Sequence, residues 1–510
     1  MGLWRSAPSR LIMVLVAAAY PMWAQFGAPS SAASGPGAVQ LPLSGRVGQP
    51  GSAIITRTPN PGQPGTVTSV LNTVQTQGAY SGSVPESQNA SGTLRLSLQD
   101  AITRGLRTNL GPVTSSQAIR QAQGQRYVAF SALMPNISGR IAETVQRLNL
   151  AAFGFSFPGG PSVIGPFSYF DARAVGAMNI FDLTSIRNFR ASQENIRSAE
   201  YNLQDARDVV ALVVTGAYLQ TIAAAARVDA AQAQVNAAQA IYQQAVDRHR
   251  AGVVARIDEL RAQVQLQVEQ QRLTASRADA ARQKLSLARV IGLAPAQDFV
   301  LSDTVPFVPL EAITVEQAIN NAMQHRADLQ TAQSQVRAAE LARKAATAEY
   351  FPSLGLTADY GFLGKRPSDT AATYSVVGGL RIPIFQGGRI RGEILQADAA
   401  LQQRRAELED LKGRVDFEVR TSFLDVQSAA DQLTVARSNV GLATETLQQA
   451  QDRFRAGVAD TVEVVQAQER LATANEDYIS SLYSHNVAKA SLARSMGLAE
   501  ERLKQYLRGR

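Results

Sequence analysis

Asp247-Arg248-His249-Arg250-Ala251-Gly252-Val253 returns 205 positions later as Asp452-Arg453-Phe454-Arg455-Ala456-Gly457-Val458. At the same offset Ser286-Leu287-Ala288-Arg289 meets Ser491-Leu492-Ala493-Arg494, and Gly292-Leu293 meets Gly497-Leu498. Toward the N-terminus the offset becomes 217, with Ser97–Ile102 on Thr314–Ile319 and Pro135 on Pro352. Collinear matches at two constant offsets mean duplication, and the change of 12 places an insertion in the first copy. The chain reads as one unit written twice, over 93–308 and 309–501.

Each copy repeats one order of signals. Ser97 with Asp100, and Thr314 with Gln317, match a capping box, a hydroxyl at the N-cap with a carboxylate or amide three residues on. A helical stretch then runs to Pro135 or Pro352, where the hydrophobic period changes to two. In the second copy Leu354, Leu356, Ala358, Tyr360 and Phe362 alternate with small or polar residues, among them Thr357 and Asp359. After an expected loop, Leu363–Thr373, the residues Tyr374, Val376, Leu380 and Ile382 alternate with Ser375, Gly379 and Arg381. In the first copy Ile137, Ile141 and Val145 precede Phe170, Ala172, Ala174 and Met178, which alternate with Asp171 and Arg173.

Two hairpins, about 136–181 and 353–384, are therefore expected. Strands of about ten residues, apolar on one face and polar on the other, suit a membrane β-barrel. Alternation alone fits equally well a soluble sheet packed on helices. Aromatics near the loop ends (Phe153, Phe155, Phe157, Phe167, Tyr169, Tyr360, Phe362 and Tyr374) favour a bilayer interface. On that reading Asp171, Arg173, Thr357, Asp359 and Arg381 face a water-filled lumen, and Leu356, Tyr360, Val376 and Leu380 face lipid.

Each hairpin leads into a helical hairpin, 184–292 and 387–497. Residues 184–250 contain no proline and one glycine, Gly216. At 1.5 Å per residue such a helix is roughly 100 Å long. Ile196, Ala199, Leu203, Ala206, Val210, Val213 and Ala217 trace a coiled-coil seam. Val209–Ala226 is apolar enough to span a membrane, but its counterpart holds Asp416, Glu418, Arg420 and Asp425. Equivalent elements share an environment, so this stretch is expected to be buried among helices.

Arg5, Arg10 and the apolar run Leu11–Ala19 look like a secretory signal ending at Ala24, so residues 1–24 are expected to be removed. With no cysteine in the chain, lipid attachment and disulfides are ruled out. Residues 25–92 are rich in Gly, Pro and Ser and are expected to be disordered, and 502–510 form a basic tail. Composition is 45% hydrophobic and 18% charged with a net charge of +8, and acids and bases interleave along the helices, which argues against nucleic acid. No motif of a hydrolase, zinc protease or phosphate-binding loop is present, and three scattered histidines offer no metal site. No cofactor is expected.

The stretch Arg453 to Gln468, an aromatic followed by glycine and then an apolar–acidic run ending in Ala467-Gln468, resembles the hairpin-tip signature of the TolC-like outer-membrane efflux proteins. Arg250-Ala251-Gly252-Val253 through Asp258-Glu259 to Ala262-Gln263 is a weaker copy, with His249 in place of Phe454. Ile382-Pro383-Ile384-Phe385-Gln386-Gly387-Gly388 and the duplicated layout extend the likeness over about 93–501. The resemblance implies a mainly α chain with a membrane β-barrel portion. Three protomers would each give four strands to one outer-membrane barrel, and their helices would continue as an α-barrel through the periplasm. It implies tips that dock on a periplasmic adaptor protein tied to an inner-membrane pump: Arg250, Gly252, Val253, Arg453, Phe454, Arg455, Gly457 and Val458. Such a channel needs no cofactor and does no catalysis.

Within this fold the chain reads as the exit duct of a tripartite efflux system, or as the outer-membrane part of a type I protein secretion system. A periplasmic coiled-coil scaffold without a pore would not need four alternating segments, and an exported enzyme would need a catalytic constellation that the sequence lacks. If three copies meet at the tips, Asp258, Asp460 and Glu463 become rings of acids and gate candidates, with Arg453 and Arg455 placed to bridge them. The opposing reading is solvated charge around an apolar constriction at Val458 and Val462.

Overall fold

The computed structural model describes residues 52–60, 69–85, 92–154, 160–294, 297–303, 307–309 and 313–501. The expected signal peptide, most of the expected disordered segment and the basic tail lie outside the described residues.

Part of the segment read as disordered is ordered. Strands β1 (Ser52–Asn60) and β2 (Ser69–Gln77) pair antiparallel, Ser52 facing Gln77. Few large apolar groups are needed, because the hairpin borrows a core from the helices. Val74 packs against Leu219, Ala223, Tyr483 and Val487. A Cβ at Gly216 would lie 2.7 Å from Val74 Cγ2, so the one glycine of the long helix makes room for this strand.

β3 (Leu94–Leu96) leads into α1 (Leu98–Thr108) and α2 (Leu110–Ser131). The Ser97–Asp100 capping box forms, each side chain accepting the other's backbone N–H at 3.2 and 3.3 Å. β4 (Asn136–Asn149) and β5 (Val163–Phe181) follow, then α3 (Leu183–Arg250), α4 (Arg256–Val290) and β6 (Phe299–Leu301), which pairs parallel with β3. The second copy repeats the order: α5 (Val315–His325), capped by Thr314 and Gln317, α6 (Ala327–Ala348), β7 (Ser353–Arg366), β8 (Asp369–Arg381), α7 (Arg389–Arg455) and α8 (Thr461–Ser495). Between the copies, Lys489 of α8, buried, donates to the carbonyl of Val308 at 2.9 Å and straps the linker down.

The hairpins join into one four-stranded antiparallel sheet in the order β4-β5-β7-β8. The expected loop Leu363–Thr373 is shorter than read. Both strands run through it, Leu363 facing Ala371, and only Pro367 and Ser368 turn. Alternation there was hidden by Gly364, Lys365 and Arg366, whose backbone pairs regardless of polarity.

Register places Ile137, Ile141, Ala172, Ala174, Ala358, Tyr360, Tyr374 and Val376 on one face and Arg140, Asp171, Arg173, Thr357, Asp359 and Ser375 on the other. Among the described residues no helix covers the apolar face: Ile141 is 78% exposed and Val376 64%. A soluble sheet packed on helices would bury these side chains. Among the described residues β4 and β8 each pair on one side only, leaving two open edges.

The main core lies where α1, α3, α4, α5, α7 and α8 meet. Val210–Gly216 are all buried there, so the stretch that could span a membrane is a core helix. Buried charges cross-link it. Arg326 pairs with Asp328 and Glu418, each at 2.6 Å, Arg494 pairs with Asp205, and Asp208 accepts the N–H of Glu500 at 3.0 Å. Burial pushes the carboxyls of Asp205 and Asp208 up from their ordinary values.

Candidate functional site at the helical tips and the sheet

The sequence ends both long helices in the same way. Gly252 and Gly457 take the left-handed conformation with φ of 72° and 75°. Gly252 N–H bonds the His249 carbonyl at 3.0 Å and Val253 N–H that of Arg248 at 2.9 Å. Gly457 and Val458 repeat the pair on Phe454 and Arg453, at 3.1 and 3.0 Å. This pair of hydrogen bonds satisfies carbonyls that a helix end leaves open. It turns the chain and leaves Val253 and Val458 exposed at the tips, with Arg250 and Arg455 exposed beside them.

Phe454 is not on the docking surface that the sequence suggested. Its ring is buried in a tip core with Ile241, Ala245, Leu447, Ala450 and Val464. An aromatic one turn before the glycine faces the neighbouring helices, and only packing reveals that. In the first copy His249 and Glu259 take the places of Phe454 and Val464, and a hydrogen bond of 2.6 Å between the His249 ring and the Glu259 carboxylate replaces the apolar contact.

Arg248 was not singled out by its sequence, yet it joins the copies. Its guanidinium lies over the Phe454 ring and donates to the carbonyls of Phe454 and Arg455. Its counterpart Arg453 turns instead to Glu463, 3.1 Å away, and so ties α7 to α8. Arg455 pairs with Asp452 on its own helix at 2.7 Å rather than bridging helices. Asp460 is the N-cap of α8, accepting the Glu463 N–H at 3.0 Å, and Asp258 faces Arg261 at 3.5 Å. Within one protomer each gate candidate thus has a local partner. Between the first turns of α4 and α8 lies a cavity of about 330 Å³ lined by Ile257, Leu260, Val264, Val462, Val465 and Arg261.

On the sheet, three expected lumen residues meet. Arg173 Nε donates to both carboxylate oxygens of Asp171, at 2.7 and 2.9 Å, and its terminal nitrogen reaches Asp359 at 3.0 Å. Thr357 and Arg381 share that face and are exposed. Among the described residues no group of three acids or histidines is placed to hold a metal.

The family model described as outer membrane efflux protein matches residues 114–293 and 318–498, one segment in each repeat. The chain belongs to the outer membrane efflux protein family. It is accordingly an outer-membrane protein with its helical part in the periplasm. The pyoverdine export outer membrane protein OpmQ of Pseudomonas aeruginosa is 23% identical over 391 residues, 74% of this chain and 80% of OpmQ. A crystal structure of a membrane protein from Pseudomonas aeruginosa superposes with a TM-score of 0.70 at 18% identity, covering 81% of this chain and 95% of that one. The Campylobacter jejuni CmeC outer membrane channel gives 0.68 at 16%, covering 81% and 89%.

Proposed function

We propose that the chain is the passive exit duct of a tripartite efflux system, acting without catalysis or cofactor. One observation carries this reading: each protomer holds a four-stranded sheet with a bare apolar face and two unpaired edges. Open edges are not tolerated in lipid, so the sheet must close against other copies. Three copies would supply twelve strands, with Asp171, Arg173, Thr357, Asp359 and Arg381 lining water. Helices of 68 and 67 residues, roughly 100 Å each, would carry the passage across the periplasm. The apolar cavity at the tips and exposed Val253 and Val458 suit docking of a periplasmic adaptor tied to an inner-membrane pump. A scaffold without a pore has no use for a bare apolar sheet. Purified protein should migrate as a heat-dissociable trimer and give stepwise currents in planar bilayers. A monomer that carries no current overturns the reading.

A further inference from the structure

The first β-hairpin outruns the second. β5 pairs with β7 only as far as Phe170, opposite Gly364. Its pairing with β4 continues to Phe167, opposite Gln146, and after a bulge to Val163, opposite Asn149. A two-stranded ribbon thus stands beyond the four-stranded sheet at its turn end. The register is unbroken from Phe167 to Arg173, so strand alternation fixes the face of each side chain between them. Phe167 and Tyr169 fall on the face of Asp171 and Arg173, which share an ion pair of 2.7 Å there. Two aromatics that the sequence suggested for a bilayer interface therefore point to the opposite side. Phe167 is 38% exposed and Tyr169 is half-buried.

Charge stops just below these rings. Arg173 is held between Asp171 and Asp359, and Arg140 stands opposite Arg173 across the β4–β5 pair, so two acids meet two arginines. Past Asp171 the same face carries Thr144 and Gln146 on β4 with Tyr169 and Phe167 on β5, none of them charged. Leu363 of β7, opposite Asp171 and 37% exposed, extends the apolar surface toward Tyr169 along the cross-strand diagonal. Residues two apart on a strand lie about 6.8 Å from each other. Two rings at that spacing make a strip as long as a small fused-ring molecule. An exposed apolar patch with a polar rim marks a contact surface. This face looks away from lipid, and the balanced charges beneath it favour neither a cation nor an anion. A flat, uncharged molecule stacked on the rings fits both conditions.

We propose that Phe167 and Tyr169, with Leu363 beside them, form a contact surface at the outer mouth for flat, uncharged, apolar molecules leaving the duct. The proposal deepens the exit-duct reading and rests on it.

Trp4 and Trp23 are the only tryptophans, so the parent protein supplies the fluorescence background. Phe167→Trp and Phe417→Trp, the second exposed on α7, would be reconstituted in phosphatidylcholine vesicles and titrated with caffeine, a flat and uncharged probe. Quenching of Phe167→Trp should saturate, and quenching of Phe417→Trp should rise linearly through collision alone. Adding Tyr169→Ser to Phe167→Trp should raise the half-saturating concentration about fivefold or more. Adding Tyr374→Ser, which removes a ring from the opposite face, should leave it unchanged. Linear quenching of Phe167→Trp, or no response to Tyr169→Ser, overturns the proposal and leaves the duct standing. Blue-shifted emission that caffeine does not quench also overturns it, and assigns the rings to contact between copies of the ribbon. Quenching of Phe167→Trp by lipid brominated in its chains sinks the lumen assignment itself, and with it the duct reading.

Discussion

The guanidinium of Arg248 lies 4.4 Å from the centroid of the Phe454 ring and donates to the carbonyls of Phe454 and Arg455 at 2.9 and 3.0 Å. A cation from the first repeat thereby closes the C-terminal end of the second repeat's long helix, where the helix dipole favours positive charge. Arg248→Ala should cost the tip about 1–3 kcal/mol through the lost ring contact and hydrogen bonds. Cleavage by an added protease around Ala456–Asp460 should accelerate while membrane insertion is unchanged. Arg248→Lys, which keeps the charge but not the fork, should fall between. An unchanged cleavage rate in Arg248→Ala would remove the clasp from the account.

Asp460 can be tested as a cap against Asp460 as a gate. Asparagine caps a helix as well as aspartate does, whereas alanine loses about 1 kcal/mol. Asp460→Asn should therefore match wild type in tip stability and in cation selectivity of single channels, and Asp460→Ala should differ in stability. A selectivity change shared by both variants would restore the acid ring.

Gly457 and Gly497 have nearly the same φ, 75° and 72°, but different surroundings. Nothing lies within 4 Å of a Cβ built at Gly457, whereas at Gly497 it would stand 2.9 Å from the backbone of Arg326. Gly457→Ala should cost only the backbone term, about 1–2 kcal/mol. Gly497→Ala must also push a core backbone aside and should lower the melting temperature and the membrane yield far more. Equal losses would contradict the packing.

Val376 and Val377 offer a paired test of the wall. They are neighbours with the same side chain on opposite faces, Val376 opposite Ala358 and Val377 opposite Thr357. An arginine facing mid-bilayer lipid costs about 2–4 kcal/mol, and one facing the lumen far less. Val376→Arg should block assembly in the outer membrane and Val377→Arg should pass. Identical outcomes would show that the faces are not distinguished by solvent.

Asp208 predicts a pH dependence. Burial raises its carboxyl above the ordinary value, so the folded chain binds that proton more readily than the unfolded chain. Stability is then lost as pH rises from the unfolded pKa through the raised folded one. Asp208→Asn removes this charge yet keeps an oxygen for the Glu500 N–H. Its gain in melting temperature should be larger at about pH 8 than at about pH 4. The reverse order would show that the ionised form is favoured where it lies.

The sequence made much of this plain. Collinear matches set the repeats, period two marked the four strands, and the glycines marked the tips. What it could not show depends on partners distant in the chain. Phe454 reads the same whether it points at solvent or at Val464. Arg248 reads as one more arginine until its helix is laid against α7. The β1–β2 hairpin has too few large side chains to announce itself, since its apolar partners belong to α3 and α8. The Leu363–Thr373 stretch looked like a loop because charged residues sit at the ends of strands that leave the membrane.

On the proposed duct reading, the turn at Pro367-Ser368 has a consequence for how a cell carrying this protein would look from outside. A two-residue connection leaves the second hairpin almost flush with the strands it joins, offering little for an antibody or a phage to grip. The first hairpin carries the longer connection, 150–162, between β4 and β5. If the chain is the proposed duct with its hairpin turns outward, its external surface is contributed mainly by the first repeat.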